Sequence, residues 1–366
     1  MKTLFRRALL ACVALLFVSN LVAAPKFEYI DASTLTVIGQ PIPYPEKPFY
    51  RMNVAPYGFN GTLTVSAHMA TGMAVLFTTN SPEIRVKWET PDIHPMGAML
   101  GALAQKGFDL YIKQDGKWLF AGSCNQKERS SSRTQSAKVV EGMNTESKEC
   151  LLYLPLFARI NALSIGVEEG STLTPLENPF RHRIVFHGSS ITHGSAASRA
   201  GMAWPARFAR EYNLYCFNMG FAGNCKLQPE YARYLADTEA DAFVFDTFSN
   251  PTPQEIETRL NAFIDILREA HPTKPLIFVQ TIRRERRNFN LKAEAFEAEK
   301  QAVAERLLRE RMKQDKHLYF IPSDNFLGDD GLATVDGTHP NDLGFTRMLK
   351  EMTPPLRKIL RKYGIR

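Results

Sequence analysis

Ser190 lies in the stretch Gly188-Ser189-Ser190-Ile191-Thr192-His193-Gly194, and far along the chain comes Asp336-Gly337-Thr338-His339-Pro340. A serine hydroxyl is a poor nucleophile at its own pKa. It attacks a carbonyl when a neutral imidazole takes its proton and a carboxylate fixes that imidazole's tautomer. Asp336 and His339 are three residues apart. On a tight turn, that spacing lets the carboxylate reach one ring nitrogen and leaves the other free. Two more polar clusters are Asn218-Met219-Gly220-Phe221-Ala222-Gly223-Asn224 and Asp246-Thr247-Phe248-Ser249-Asn250-Pro251. A glycine N–H and an asparagine amide from these clusters could donate to an oxyanion. Each cluster alone has a plainer reading: a serine helix cap, a capping aspartate, a loop glycine, a turn asparagine. Their order along the chain joins them.

The elements that must position these clusters are apolar strands alternating with helices. Ile184–His187, Leu214–Asn218, Ala242–Asp246, Pro275–Gln280 and His317–Ile321 read as strands. Ala203–Tyr212, a segment opening at Thr252-Pro253-Gln254-Glu255, Lys292–Lys313 and Asp342–Ile359 read as helices. Thr252 and Glu255 have the spacing of a capping box, with proline at the first helical position. The long helix carries Phe296, Val303, Leu307 and Leu308 on its apolar side, and the last helix meets a possible break at Pro354-Pro355. Alternation of this kind implies a parallel sheet covered on both faces, with its site at the carboxyl ends of the strands. The first three clusters each follow a strand, and the fourth precedes the last helix.

Residues 25–178 read differently, as short strands and turns. Gly61–Ala67, Glu83–Trp88 and Ala162–Val167 alternate, and Gln114-Asp115-Gly116 is a hairpin turn between Phe108–Lys113 and Lys117–Phe120. Lys127–Ser147 is polar and serine-rich, and reads as a loop or hairpin tip. The whole suggests a β-sandwich.

The four clusters resemble the blocks of the SGNH (GDSL-like) hydrolase family. On that resemblance, Ser190, Gly223, Asn250 and the pair Asp336 and His339 are its four marks. Gly107-Phe108-Asp109-Leu110-Tyr111 resembles the GxDLY motif of a branch with a β-rich N-terminal domain. The fold implied is α/β: a flavodoxin-like three-layer α/β/α domain over 179–366, preceded by a β-sandwich over 25–178. The activity implied is hydrolysis of a short acyl ester, acetyl foremost, on a carbohydrate, with neither cofactor nor metal. Two alternatives stand beside it: a lipid or thioester acylhydrolase with the same triad, and a non-catalytic glycan-binding protein. Two departures are visible: Ser189 stands where the family has Asp, and Phe248 and Pro251 flank Asn250 where it has Gly and Asp. An α/β-hydrolase would need G-x-S-x-G, whereas here Thr192 follows Ser190 at the last position of that pattern.

Substrate contacts are less sharply marked. Arg283 and Arg284 open an Arg-Arg-Glu-Arg-Arg run after the fourth strand and could pair with an anionic substrate, or form a solvated face. His193 could line the pocket, whereas His187, Trp204 and Phe208 read as interior residues.

The chain's start reads as a leader. Met1–Arg7 is basic, Ala8–Val18 is apolar and too short for a comfortable span of about 20 residues, and small residues end at Ala24. Residues 1–24 are therefore expected to be a cleaved signal peptide, and the product periplasmic or secreted. A lipidated Cys12 fits the run poorly. With Lys2, Arg6 and Arg7 removed, the net charge of +7 becomes +4, which does not point to nucleic acid or an integral membrane role. Cys124, Cys150, Cys216 and Cys225 then remain, as disulfides Cys124–Cys150 and Cys216–Cys225 or as free thiols.

Overall fold

The computed structural model describes residues 25–93, 97–125 and 132–366. The expected leader, 1–24, lies outside the described residues. Ten strands occupy the first half: β1 Phe27–Asp31, β2 Thr36–Ile38, β3 Ala74–Thr79, β4 Ile84–Glu89, β5 Phe108–Gln114, β6 Lys117–Cys124, β7 Thr134–Val140, β8 Lys148–Tyr153, β9 Ala162–Glu168 and β10 Leu173–Pro175. Two short helices interrupt them, α1 Gly61–His68 and α2 Ala102–Lys106. One antiparallel sheet has the order β1-β9-β4-β7, and the other β10-β3-β8-β5-β6 with β2 beside β3. Their facing sides hold Val86, Trp88 and Ile165 against Val75, Phe77, Leu110 and Leu152, the core of a β-sandwich.

The outer side of the larger sheet is buried too. Leu76, Tyr111, Leu151 and Tyr153 join the core of the second half. Strand β5 thus buries both faces: Phe108 and Leu110 in the sandwich, and Asp109 and Tyr111 against the second half. Asp109 Oδ2 accepts from Arg199 Nη1 at 2.9 Å and from the Gly201 N–H at 2.7 Å. The Phe-Asp-Leu-Tyr segment is therefore a docking strand rather than a half-exposed one.

The second half contains β11 Arg181–Gly188, α3 Ser190–His193, α4 Trp204–Tyr212, β12 Leu214–Gly220, α5 Pro229–Ala236, β13 Ala242–Asp246, α6 Pro253–Ala270, β14 Leu276–Val279, α7 Leu291–Met312, β15 Leu318–Ile321 and α8 Asp342–Arg361. The five strands are parallel, in the order β12-β11-β13-β14-β15. This is the flavodoxin-like order, whose switch point lies between the first and third strands of the sheet. In β13 the side chains alternate between two cores. Ala242 and Val244 face α4 and α8, whereas Phe243 and Phe245 face α5, α6 and α7. Thr252 and Glu255 form the reciprocal capping box at the start of α6.

Several expectations are corrected. Gly61–Ala67 is helical, because packing of Ser66, Ala67 and Val65 decides the matter over weak β-type alternation. Of the expected loop or hairpin tip at 127–147, residues 127–131 lie outside the described residues, and Thr134–Val140 is β7, which pairs with β4 and buries Gln135 and Val139. Pro354-Pro355 does not break α8, whose apolar face runs from Phe345 to Leu360. Helix α5 was not anticipated. In α7 the buried face includes Glu297 and Lys300, whereas Phe296 is largely exposed. Of the two cysteine readings, the thiols at 124, 150, 216 and 225 are free. Among the described residues, no helix is long and apolar enough to cross a membrane, and no His, Cys, Asp and Glu cluster could hold a metal ion.

Candidate active site

The carboxyl end of β11 pairs with that of β13, Gly188 opposite Asp246. A Cβ at Gly188 would lie 2.3 Å from Thr192 Oγ1 and 2.8 Å from the Asp246 carbonyl, so only glycine admits this turn. The chain then enters α3, and the two adjacent serines separate in role. Ser189 is the N-cap: its Oγ accepts from the Ile191 N–H at 3.1 Å and donates to Asp246 Oδ2 at 3.4 Å. Ser190 is the first helical residue, and its N–H has no acceptor inside the helix. Its Oγ is free of capping and lies 2.9 Å from His339 Nε2.

The Asp336–His339 turn meets it from the opposite side. Gly337 has φ +77, and a Cβ there would lie 2.9 Å from that of Arg286. Asp336 Oδ1 accepts the N–H groups of Thr338 and His339 at 2.9 and 2.8 Å, while Oδ2 lies 2.8 Å from His339 Nδ1. Burial pushes the Asp336 carboxyl up, but the hydrogen bonds from the His339 backbone and ring and the Thr338 backbone outweigh it, and the group sits below its ordinary value. An ionised Asp336 requires the proton on Nδ1 and leaves Nε2 as an acceptor toward Ser190. The arrangement can therefore activate a hydroxyl.

Ser190 and His339 open into a cavity of about 690 Å³, which Gly223 and Asn250 also line. Asn250 Oδ1 accepts from the Cys225 N–H at 3.3 Å, which ties it to the Gly223 loop and leaves its amide nitrogen as the free end. Val65, Met69, Leu100 and Phe157 from the first half wall the other side.

A family model described as the GDSL-like lipase/acylhydrolase family matches residues 181–357, and one described as the N-terminus of SGNH-hydrolase-type esterases matches 27–173. The chain is 44% identical to a protein of Bacteroides ovatus ATCC 8483 taken to be a GDSL-like lipase, with 92% of this chain and 98% of that one covered and a TM-score of 0.87. The chain belongs to the GDSL-like lipase/acylhydrolase family. The fold of this GDSL-like chain is similar to two more distant structures. One is the salicylyl-acyltransferase of a tetracycline biosynthetic pathway, at 20% identity, 94% and 100% coverage and TM-score 0.70. The other is a family two carbohydrate esterase of Clostridium thermocellum in complex with cellohexaose, at 15% identity, 81% and 94% coverage and TM-score 0.57. No curated protein matches.

This GDSL-like enzyme uses its other flagged residues in different ways. His193 lines the cavity but is fully buried. Its ring stacks on Phe157 at 3.9 Å, its Nδ1 accepts from the Ala222 N–H at 3.4 Å, and Nε2 lies 2.7 Å from the Leu156 carbonyl and 2.9 Å from Thr71 Oγ1. Burial, with Arg51 nearby, lowers its pKa to about 3. It is a neutral brace between the β-sandwich and the loop that leads to Gly223. Arg283 lies outside the cavity lining and donates from Nη1 to Asn288 Oδ1 at 2.7 Å. Arg284 lines the cavity but is buried, donating to Glu297 Oε1 at 2.5 Å and the Ser249 carbonyl at 2.7 Å. Arg286 is the arginine of the run that lines the cavity in an exposed state.

Sequence reasoning missed Arg51, which is fully buried. Its Nη1 donates to the carbonyls of Asn218 and Gly220 at 2.9 and 3.0 Å, and its Nη2 donates to that of Ser66 at 2.8 Å. It also missed Glu297 and Lys300, whose only signal was an i,i+3 pair on a charged helix downstream of the arginine run.

Asp246 is buried behind the Ser189-Ser190 turn, and Thr192 Oγ1 donates to it at 2.9 Å. Burial raises its pKa from 3.8 to about 7. The native state therefore holds an extra proton between those two values, and the group's contribution to stability is lost as pH rises through that window. Asp246→Asn is expected to flatten the decline of Tm between about pH 4 and 7 relative to the wild type. Melting curves across that range check it, and parallel pH profiles would contradict it.

Proposed function

We propose that the chain hydrolyses short acyl esters, acetyl foremost, on a carbohydrate, with Ser190 as nucleophile. Ser190 Oγ attacks the carbonyl carbon as His339 Nε2 takes its proton, and Asp336 holds His339 through Nδ1. The N–H groups of Ser190 and Gly223 and the Asn250 amide donate to the oxyanion. His339 then protonates the departing alcohol. Water repeats the sequence on the acyl-enzyme and frees the acid. The observation that carries this reading is the continuous hydrogen-bonded line from Ser190 through His339 to Asp336, at 2.9 and 2.8 Å. Export by a leader over 1–24, and a division near residue 178 into β-sandwich and hydrolase domains, belong to the same proposal. Carbohydrate as the alcohol is supported by the fold shared with a carbohydrate esterase and by the expected export.

The apolar wall of Val65, Met69, Met99, Leu100 and Phe157 favours one rival, a lipid acylhydrolase that uses the same triad. A 4-nitrophenyl ester series from acetate to decanoate separates the two. The expected result is a kcat/KM that falls at least tenfold from the two-carbon to the ten-carbon acyl group, about 1.4 kcal/mol. A preference for the long chains would overturn the short-acyl reading and leave the triad standing.

A further inference from the structure

The cavity wall next to His339 carries more positive charge than its own carboxylates neutralise. Arg284, Arg286 and Lys300 all line it, and all three converge on one carboxylate, Glu297, at 2.5, 2.9 and 2.7 Å. Glu297 and Lys300 are each only 1% exposed. Neighbouring acids are committed elsewhere. Glu285 accepts from the Ala333 N–H and from Thr334, Glu294 pairs with Arg287, and Asp246 is held by Thr192. Counting even an ionised Asp246, three cations face two anions.

Burying charges is costly unless they are paired, so an uncompensated cation at a cavity wall is a place for an anion. Arg286 is the donor that an anion in the cavity can reach. Arg284 Nε is buried without a hydrogen-bond partner. Arg286 spends Nη2 on Glu297, and its side chain remains 46% exposed. Lys300 adds to the same field, with burial and then Arg284 holding its pKa down to about 8.

The position of Arg286 says which part of the substrate would carry the negative charge. Its N–H donates to the Gly337 carbonyl at 2.9 Å, which pins it to the turn that bears His339. His339 must protonate the departing oxygen, so the alcohol lies on that side. We propose that the alcohol released by this enzyme is anionic, carrying a carboxylate or an equivalent oxyanion that Arg286 engages at the rim of the Glu297–Lys300 cluster. This rests on the esterase reading and narrows its substrate to acylated acidic alcohols, such as acidic sugars. Arg286 is then a specificity-determining residue.

The test compares two acetates of nearly the same shape that differ chiefly in charge, 4-acetoxybenzoate and 4-acetoxybenzamide, at low ionic strength. The amide has the slightly better leaving group, so intrinsic reactivity works against the expected result. The expectation is a kcat/KM ratio of about tenfold in favour of the carboxylate, the size of one charge-assisted contact. Arg286→Gln is expected to bring that ratio close to one and Arg286→Lys to keep most of it. A wild-type ratio at or below one, or a ratio that Arg286→Gln leaves intact, overturns the proposal. Thermal shifts with 4-hydroxybenzoate and 4-hydroxybenzamide read the same site without turnover. The carboxylate alone should stabilise the wild type, and equal shifts overturn the proposal. Loss of hydrolysis of both acetates with the carboxylate-specific shift retained would fault the esterase reading and uphold the anion site.

Discussion

Replacing Ser190 with alanine is expected to lower kcat on 4-nitrophenyl acetate by on the order of 10⁴ to 10⁶, the range seen when a triad nucleophile is removed. The fold should survive, since Ser190 Oγ caps nothing and its bond is to His339. Ser189→Ala is the informative companion. It removes the cap on the Ile191 N–H and a donor to Asp246, which should cost about 1 kcal/mol of stability. It leaves the Ser190–His339 contact in place, so kcat should stay within about tenfold of the wild type. Steady-state kinetics beside melting curves separate the two serines: one variant loses turnover and keeps its Tm, the other does the reverse.

Arg51→Met should produce the largest loss of stability. The guanidinium satisfies the carbonyls of Asn218, Gly220 and Ser66 from a fully buried position and sits over the Phe221 ring at 4.7 Å. Removing it strands three buried acceptors, which at about 1–3 kcal/mol for each unsatisfied group, reduced by local relaxation, gives a cost of about 3–5 kcal/mol. Tm should fall by on the order of 10 °C. Activity should fall as well, because Gly220 begins the loop that carries Gly223. A Tm within about 1 °C of the wild type would show that this contact is not what joins the β-sandwich to the site.

Much of the hydrolytic half was legible because its sheet is parallel and covered on both faces. Strands such as Ala242–Asp246 are then continuous apolar runs, and polar clusters at their ends stand out. Three of the clusters follow β11, β12 and β13, whose ends the strand order sets side by side, and the fourth arrives on the turn before α8. Residue type alone does not separate Ser189 from Ser190, because the two differ by one backbone position, and it is the place in the family's motif that selects Ser190. The contribution of the first half was hidden for another reason. Arg51, Thr71, Leu156 and Phe157 act through contacts more than 30 residues away in sequence, and no local pattern reports such pairing. Gly61–Ala67 reads as a strand because Thr62, Thr64 and Val65 favour extended backbone and the segment carries little helical period. On α7, Glu297 and Lys300 resemble any solvated i,i+3 charge pair, and nothing local in the sequence marks their burial.

Labelling with a serine-directed fluorophosphonate, followed by mass mapping of the adduct, tests the central claim most directly. The account predicts one adduct per chain, on Ser190, still formed by Ser189→Ala and abolished by Ser190→Ala and by His339→Ala. An adduct on Ser189, or labelling that persists in Ser190→Ala, would contradict it.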